Sequence, residues 1–132
     1  MHTRSKGNLG EDIACKFIEK QGFSVITRNY QKKWGEIDII AHKIGSHGKM
    51  PGIHFFEVKS VTGYFNTAQK DIFRPEDNVH ELKLKHIGRM VETYFAEFMP
   101  DRDVSFEFHV ICVYMNMKTR RANIKWLKNI IL

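Results

Sequence analysis

The chain has 132 residues, 42% of them hydrophobic, which is enough for a single domain spanning residues 1–132 with a buried core. Its net charge of +6 is concentrated toward both ends and suits a polyanionic partner, with a solvated basic surface as the alternative. No stretch approaches the roughly 20 apolar residues that span a bilayer, and the basic N-terminus lacks an apolar secretion signal, so we expect a cytoplasmic protein with no membrane partner.

A helix is predicted from about residue 5 to residue 21, because apolar side chains recur every four positions there and Gly22 follows as a stop. Glu11 lies near the start of this helix, where an acidic side chain complements the positive end of the helix dipole. Residues 23–30 then alternate apolar and polar side chains, which predicts the first strand. Arg28 in this strand is a candidate for contact with a phosphate, although a surface arginine is equally ordinary.

Two further strands are predicted at residues 36–41 and 55–60, where charged side chains alternate with apolar ones. The residues between them include three glycines and a proline, so the chain should reverse there and pair the strands as an antiparallel hairpin. A roughly symmetric hairpin places Asp38 of the first strand near Glu57 of the second.

Two carboxylates held this close repel each other unless a cation neutralises them. Lys59, on the same strand face as Glu57, can neutralise only one of them. We therefore expect Asp38 and Glu57 to bind Mg²⁺ or Mn²⁺, with the carbonyl oxygen of Val58 as a third ligand and water in the remaining positions. Such open positions suit hydrolysis.

The second half of the chain supplies the remaining elements. Residues 61–75 show no period and are predicted to form a long loop, either a nucleic-acid lid or a disordered segment. An apolar stripe predicts a second helix over residues 76–99. Residues 104–115 are predicted to form a central strand and residues 122–127 an edge strand. This order predicts an α/β domain whose mixed central sheet carries helices on its faces.

Four short motifs resemble one known family. Together they resemble the YraN-like family of uncharacterised bacterial proteins, which is similar to archaeal Holliday-junction resolvases; the motifs are Gly10-Glu11, Arg28-Asn29, Gly35-Glu36-Ile37-Asp38 and Phe56-Glu57-Val58-Lys59. The last two motifs also resemble the D…(D/E)-x-K signature of the PD-(D/E)XK nuclease superfamily. The likeness extends from about Lys6 to Phe98. Where the family usually has Arg-Phe-Asp-Val, this chain has Glu107-Phe108-His109-Val110, so no role is carried over to His109.

The resemblance implies a restriction-endonuclease-like core and a Mg²⁺-dependent endonuclease that hydrolyses phosphodiester bonds in linear or branched DNA, the latter in repair or recombination. Asp38 and Glu57 would hold the ion, and Lys59 would position the attacking water or stabilise the developing negative charge. Glu11 would lie beside the metal and orient a water or hold a second ion. Glu36, which shares the strand face of Asp38, is expected to lie next to the metal ligands without binding the ion itself.

Candidate nucleic-acid contacts are Arg28, Lys32, Lys33 and, by the resemblance, Lys83 at the start of the second helix. Solvated cations are the commoner explanation for each of them. A DNA- or RNA-binding module that keeps the fold without cutting is the alternative to a nuclease, and a structural domain is a third hypothesis. The apolar residues 130–132 are expected to pack on the core or on a second copy of the chain in a homodimer.

A zinc site is disfavoured by the spacing of histidines and cysteines. His42, His47 and His54 lie in and around the hairpin turn, but their spacing matches no common zinc pattern. Cys15 and Cys112 lie far apart in the chain and form no C-x-x-C pair, so neither a disulfide scaffold nor a zinc ribbon is indicated.

Overall fold

The computed structural model describes residues 6–44, 52–63, 84–100 and 105–132. Its elements in chain order are α1 (Lys6–Lys20), β1 (Phe23–Lys32), β2 (Gly35–Lys43), β3 (Ile53–Gly63), α2 (Leu84–Phe98), β4 (Phe106–Asn116) and β5 (Arg121–Leu127). The strands form one sheet in the order β1-β2-β3-β4-β5, in which β3 and β4 are parallel and the other neighbours are antiparallel. This confirms the predicted α/β domain with a mixed sheet, and β5 is the predicted edge strand.

The predicted boundaries differ from the observed ones in one notable place. β3 continues to Gly63, so the first three residues of the predicted loop at residues 61–75 are strand. The rest of that loop, the first part of the predicted second helix and Lys83 lie outside the described residues, as do His47 and most of the hairpin turn.

Apolar side chains form a separate cluster on each face of the sheet. On one face α2 packs on the sheet, and its buried side chains are Ile87, Met90, Val91 and Tyr94. On the other face α1 packs on the sheet, and its buried apolar side chains are Ala14, Cys15 and Ile18. The central strand β4 contributes to both, through Phe108, Val110 and Cys112 on the α2 face and Ile111, Val113 and Met115 on the α1 face. Burial on both faces explains why the sequence of β4 is apolar from Val110 to Met115.

The connection between β3 and β4 contains α2. Parallel neighbours cannot be joined by a tight turn and need such a crossover. In the part of the chain that the structure describes, no helix is long and apolar enough to cross a membrane. Beyond β5, Ile130 packs against the α2-face cluster, whereas Ile131 is 81% exposed.

Candidate functional site

The candidate site lies where β2 and β3 separate. These strands pair through three residue pairs, and the pair nearest the opening is Ile39↔Phe56. Beyond that pair β2 continues along β1, and β3 continues along β4. The register of this antiparallel pair places Asp38 opposite Glu57 at the point where the strands part, so the opening between β2 and β3 has a carboxyl group on each side.

Asp38 reaches across this opening to β3. The residue is 7% exposed, and its Oδ2 accepts a hydrogen bond of 2.8 Å from the Val58 N–H. This bond satisfies a backbone donor that β2 no longer pairs once the strands have parted. Because the N–H and C=O of one residue in an extended strand point to the same side, the Val58 carbonyl is also directed toward the opening.

A local irregularity in β1 brings an arginine to the same region. Asn29 has a φ of 54°, a left-handed conformation that asparagine tolerates better than most residues. Residues two apart in a regular strand share a face, but here Arg28 contacts α1 while Tyr30 packs in the α2-face cluster. Asn29 therefore turns its two neighbours to opposite faces of the sheet.

Arg28 holds the two acidic side chains of α1 that face the sheet. Its Nε and Nη2 lie 3.1 and 3.0 Å from Glu11 Oε1, and its Nη2 lies 2.8 Å from Asp12 Oδ1. Glu11 is 7% exposed, and its charge raises the pKa of Asp38, so the two carboxyl groups are near each other. The guanidinium group of Arg28, which the sequence suggested as a phosphate contact, is thus bonded to Glu11 and Asp12.

Gly10 allows α1 to approach β3 this closely. A Cβ at Gly10 would collide with Ser60 Oγ and would lie 3.0 Å from Ser60 Cβ. Because Glu11 is the next residue of α1, this close contact sets how far its carboxyl group stands from β3.

The pKa values of the Asp38–Glu57 pair are raised. Burial raises the pKa of Glu57 to about 8, and the charge of Asp38 and a hydrogen bond shared with it act in the same direction. Burial also raises the pKa of Asp38, to about 6, although the Val58 N–H opposes the shift. The pair therefore retains a proton near neutral pH, because ionising both neighbouring carboxyl groups would place two negative charges side by side.

Lys59 is the cation adjacent to the pair on β3. It is partly buried, and its charge lowers the pKa of Glu57, although burial and Asp38 outweigh this effect. Glu36 is exposed, and its charge raises the pKa of both members of the pair. The site thus combines acidic groups in excess of the one lysine beside them.

Two other predicted nucleic-acid contacts, Lys32 and Lys33, lie near the turn between β1 and β2. Lys32 Nζ is 3.0 Å from Glu97 Oε1, which also accepts a hydrogen bond from Tyr30 OH. Lys33 is exposed. The guanidinium carbon of Arg89 on α2 lies 4.7 Å from the centre of the Trp34 ring, so this aromatic side chain packs on α2.

One group of side chains was not anticipated from the sequence. His54 of β3 meets His109 and Glu107 of β4, and their donor atoms are close enough to hold a metal ion. The sequence grouped His54 with His42, but His42 is exposed. The parallel register, which pairs His54 with Glu107 and Phe56 with His109, creates the cluster. The available signal was a histidine inside each of two apolar strands.

The donors at the opening between β2 and β3 suit a hard divalent ion. Both side-chain ligands are carboxyl groups and the adjacent backbone donor is a carbonyl, which are the oxygen ligands that Mg²⁺ and Mn²⁺ prefer. An ion there would displace the retained proton and allow both carboxyl groups to ionise.

Comparison with known proteins places the chain in a family. Residues 10–113 match the family described as "Uncharacterised protein family UPF0102". A UPF0102 protein of Caldicellulosiruptor saccharolyticus is 32% identical over 129 residues, which cover 98% of both chains. A UPF0102 protein of Campylobacter lari is 34% identical over 124 residues, which cover 94% of this chain and 91% of the relative. The chain therefore belongs to the UPF0102 family, the YraN-like family that its motifs resemble.

Proposed function

We propose that this protein is a Mg²⁺- or Mn²⁺-dependent endonuclease that hydrolyses phosphodiester bonds in DNA, on a restriction-endonuclease-like core. The observation that carries the proposal is the Asp38–Glu57 pair, in which a buried and a half-buried carboxyl group share a hydrogen bond and both pKa values are raised. Such a pair is costly in a fold unless a ligand uses it. A divalent ion is the ligand that matches its charge and its oxygen donors.

Asp38, Glu57 and the Val58 carbonyl would hold the ion. When bound, it would polarise the phosphate and lower the pKa of a water molecule. The Val58 N–H fixes the orientation of the Asp38 carboxylate, so this ligand needs little rearrangement before an ion arrives.

Lys59 would act on the phosphate, and Glu11 would act on the attacking water. The ammonium group of Lys59 lies on the same strand as Glu57 and would stabilise negative charge that develops on the phosphate. Glu11 would accept a hydrogen bond from the attacking water, and Arg28 would hold its carboxylate in place from behind. Arg28 is therefore a positioning residue in this proposal, and its contact with DNA is not required.

DNA is the proposed partner because the chain carries a net charge of +6 around this acidic centre. Exposed cations such as Lys33 would contact phosphates outside the acidic pair. Branched DNA is the first substrate to test, because the motifs resemble those of junction resolvases.

The test is a cleavage assay on branched and linear duplexes of the same sequence, with Mg²⁺, with Mn²⁺ or with a chelator. Wild type should cut only when the ion is present, and Glu57→Gln should bind DNA without cutting it. Glu92→Gln, which makes the same change on the exposed face of α2, should cut like wild type. Equal cutting by wild type and Glu57→Gln would reveal a contaminant, and DNA binding by wild type without any cutting would favour the non-cutting binding module.

A further inference from the structure

Two histidines and a glutamate meet at the first residues of β3 and β4, on the face of the sheet that α1 covers. His54 lies three residues before Glu57, which places this cluster about 10 Å along β3 from the acidic pair. The cluster is thus separate from the proposed nuclease site.

The three donor atoms have the spacing of ligands around one small ion. His54 Nδ1 is 3.0 Å from His109 Nε2, and Glu107 Oε1 is 3.7 Å from the former and 3.5 Å from the latter. A triangle with these sides fits on a circle with a radius of about 2.0 Å, and the bonds of Zn²⁺ to histidine nitrogen and carboxylate oxygen are about 2.0–2.2 Å long. An ion within the triangle, or slightly above it, would reach all three atoms with little movement of the donor atoms themselves.

From this geometry we infer that His54, Glu107 and His109 bind one Zn²⁺-class transition-metal ion, with a fourth position left for water. Two imidazole nitrogens and one carboxylate form a donor set that favours Zn²⁺, Co²⁺ or Ni²⁺ over Mg²⁺. The site therefore differs in its ion preference from the oxygen donors of Asp38 and Glu57.

The side chains around the two histidines bury both rings and leave an approach for an ion beside Glu107. Their side chains are 7% and 2% exposed, whereas that of Glu107 is 32% exposed, so an ion would enter past Glu107. Rings pack around them, with Phe56 stacked 4.9 Å from His109 and Phe23 edge-on 4.8 Å from His54. Burial lowers the pKa of His54 to about 4 and that of His109 to about 3, so both imidazoles are neutral, which is the form that binds metals.

Two hydrogen bonds of His109 must change when the ion binds. The Asn129 N–H donates to His109 Nδ1 over 3.1 Å, so the neutral ring carries its proton on Nε2 and donates it to His54 Nδ1. Ligation through Nε2 ends the bond to His54 and moves that proton to Nδ1, where it faces the Asn129 N–H. The ion therefore displaces the Asn129 amide, and the residues after β5 report its binding.

The test is a titration of metal-free full-length protein with Co²⁺ in excess Mg²⁺, which is added to compete for the oxygen-only Asp38–Glu57 pair. Wild type should take up one equivalent and develop the intense visible absorption of four-coordinate Co²⁺, which Zn²⁺ should then remove. Glu107→Gln and His54→Gln should each weaken binding at least about a hundredfold, because even the loss of a partner behind a metal ligand costs ten- to a hundredfold. Glu92→Gln and His86→Gln, which make the same changes on exposed parts of α2, should bind like wild type.

A second readout follows the Asn129 amide by NMR while Zn²⁺ is added. Its resonance should shift in step with the ion in wild type and stay in place in Glu107→Gln, which keeps both buried histidines and the fold they support. The inference is overturned if wild type fails to bind one equivalent, if Glu107→Gln binds as tightly as Glu92→Gln, or if the Asn129 resonance does not move at saturation. None of these outcomes depends on DNA cleavage.

Discussion

Lys59 lies two residues beyond Glu57 on β3, close enough to lower the pKa of that carboxyl group. If its charge acts mainly on the transition state, Lys59→Ala should lower the cleavage rate by about a hundredfold or more, or roughly 3 kcal/mol. DNA affinity should change little, because most of the positive charge of the chain lies elsewhere. Single-turnover cleavage and gel-shift titrations on the same DNA measure the two effects. A variant that loses affinity and rate in equal proportion would show that Lys59 only binds DNA.

Glu57 makes folding stability depend on pH in the absence of metal. Its pKa is raised to about 8 from an ordinary value of 4.5, so the folded state retains a proton that the unfolded state releases. The stability that protonated Glu57 gives the folded state is fully present below about pH 4.5 and is lost as the pH rises toward 8. Glu57→Gln should therefore raise the free energy of unfolding at pH 8 by at least about 1 kcal/mol, and by less at pH 5.

Urea denaturation with a chelator at the two pH values measures this difference. The comparison is made within each pH, because the buried histidines act in the opposite direction: their lowered pKa values remove stability as the pH falls below 6.5. Glu92→Gln is the control, since its side chain is exposed on α2. An equal response of both variants at pH 8 would mean that the Asp38–Glu57 contact carries no strain.

Two glycines inside helices test how α1 positions the site. A Cβ at Gly10 would lie against Ser60, whereas a Cβ at Gly88 of α2 meets nothing within 4 Å. Gly10→Ala should destabilise the protein by about 1–3 kcal/mol and lower cleavage, because α1 and Glu11 must move away from β3. Gly88→Ala should stabilise by about 0.5–1 kcal/mol and leave cleavage intact, because alanine favours a helix. Thermal unfolding and cleavage assays on the pair check this, and matching behaviour of the two variants would contradict it.

Much of this arrangement is readable from the sequence because it follows from local patterns. Apolar periodicity predicts both helices and all five strands, and a turn-rich segment between two strands predicts the hairpin that brings Asp38 opposite Glu57. Contacts between distant elements follow no such pattern. The left-handed Asn29 reverses the strand alternation, so the sequence does not show that Arg28 faces Glu11. The His54–His109 contact likewise depends on the parallel register of β3 and β4.

The charge of the whole molecule bears on how it would hold DNA. A net charge of +6 with an acidic centre implies binding through phosphates around the site rather than at it. If about five phosphates are neutralised, the logarithm of the affinity for duplex DNA should fall with the logarithm of salt concentration at a slope of roughly −4 to −5. Gel shifts across a salt series give this slope. An affinity that does not respond to salt would exclude a mainly electrostatic interface.

The most direct test of the account is calorimetric titration of Mn²⁺ into metal-free protein at pH 7, repeated in buffers with different ionisation heats. The raised pKa values of Asp38 and Glu57 predict that ion binding at this pair releases about one proton. Asp38→Asn and Glu57→Gln should lose this event, while Glu107→Gln should keep it because only the histidine cluster is affected. Binding with no proton release, or with the same release in all four proteins, would contradict an ion site between Asp38 and Glu57.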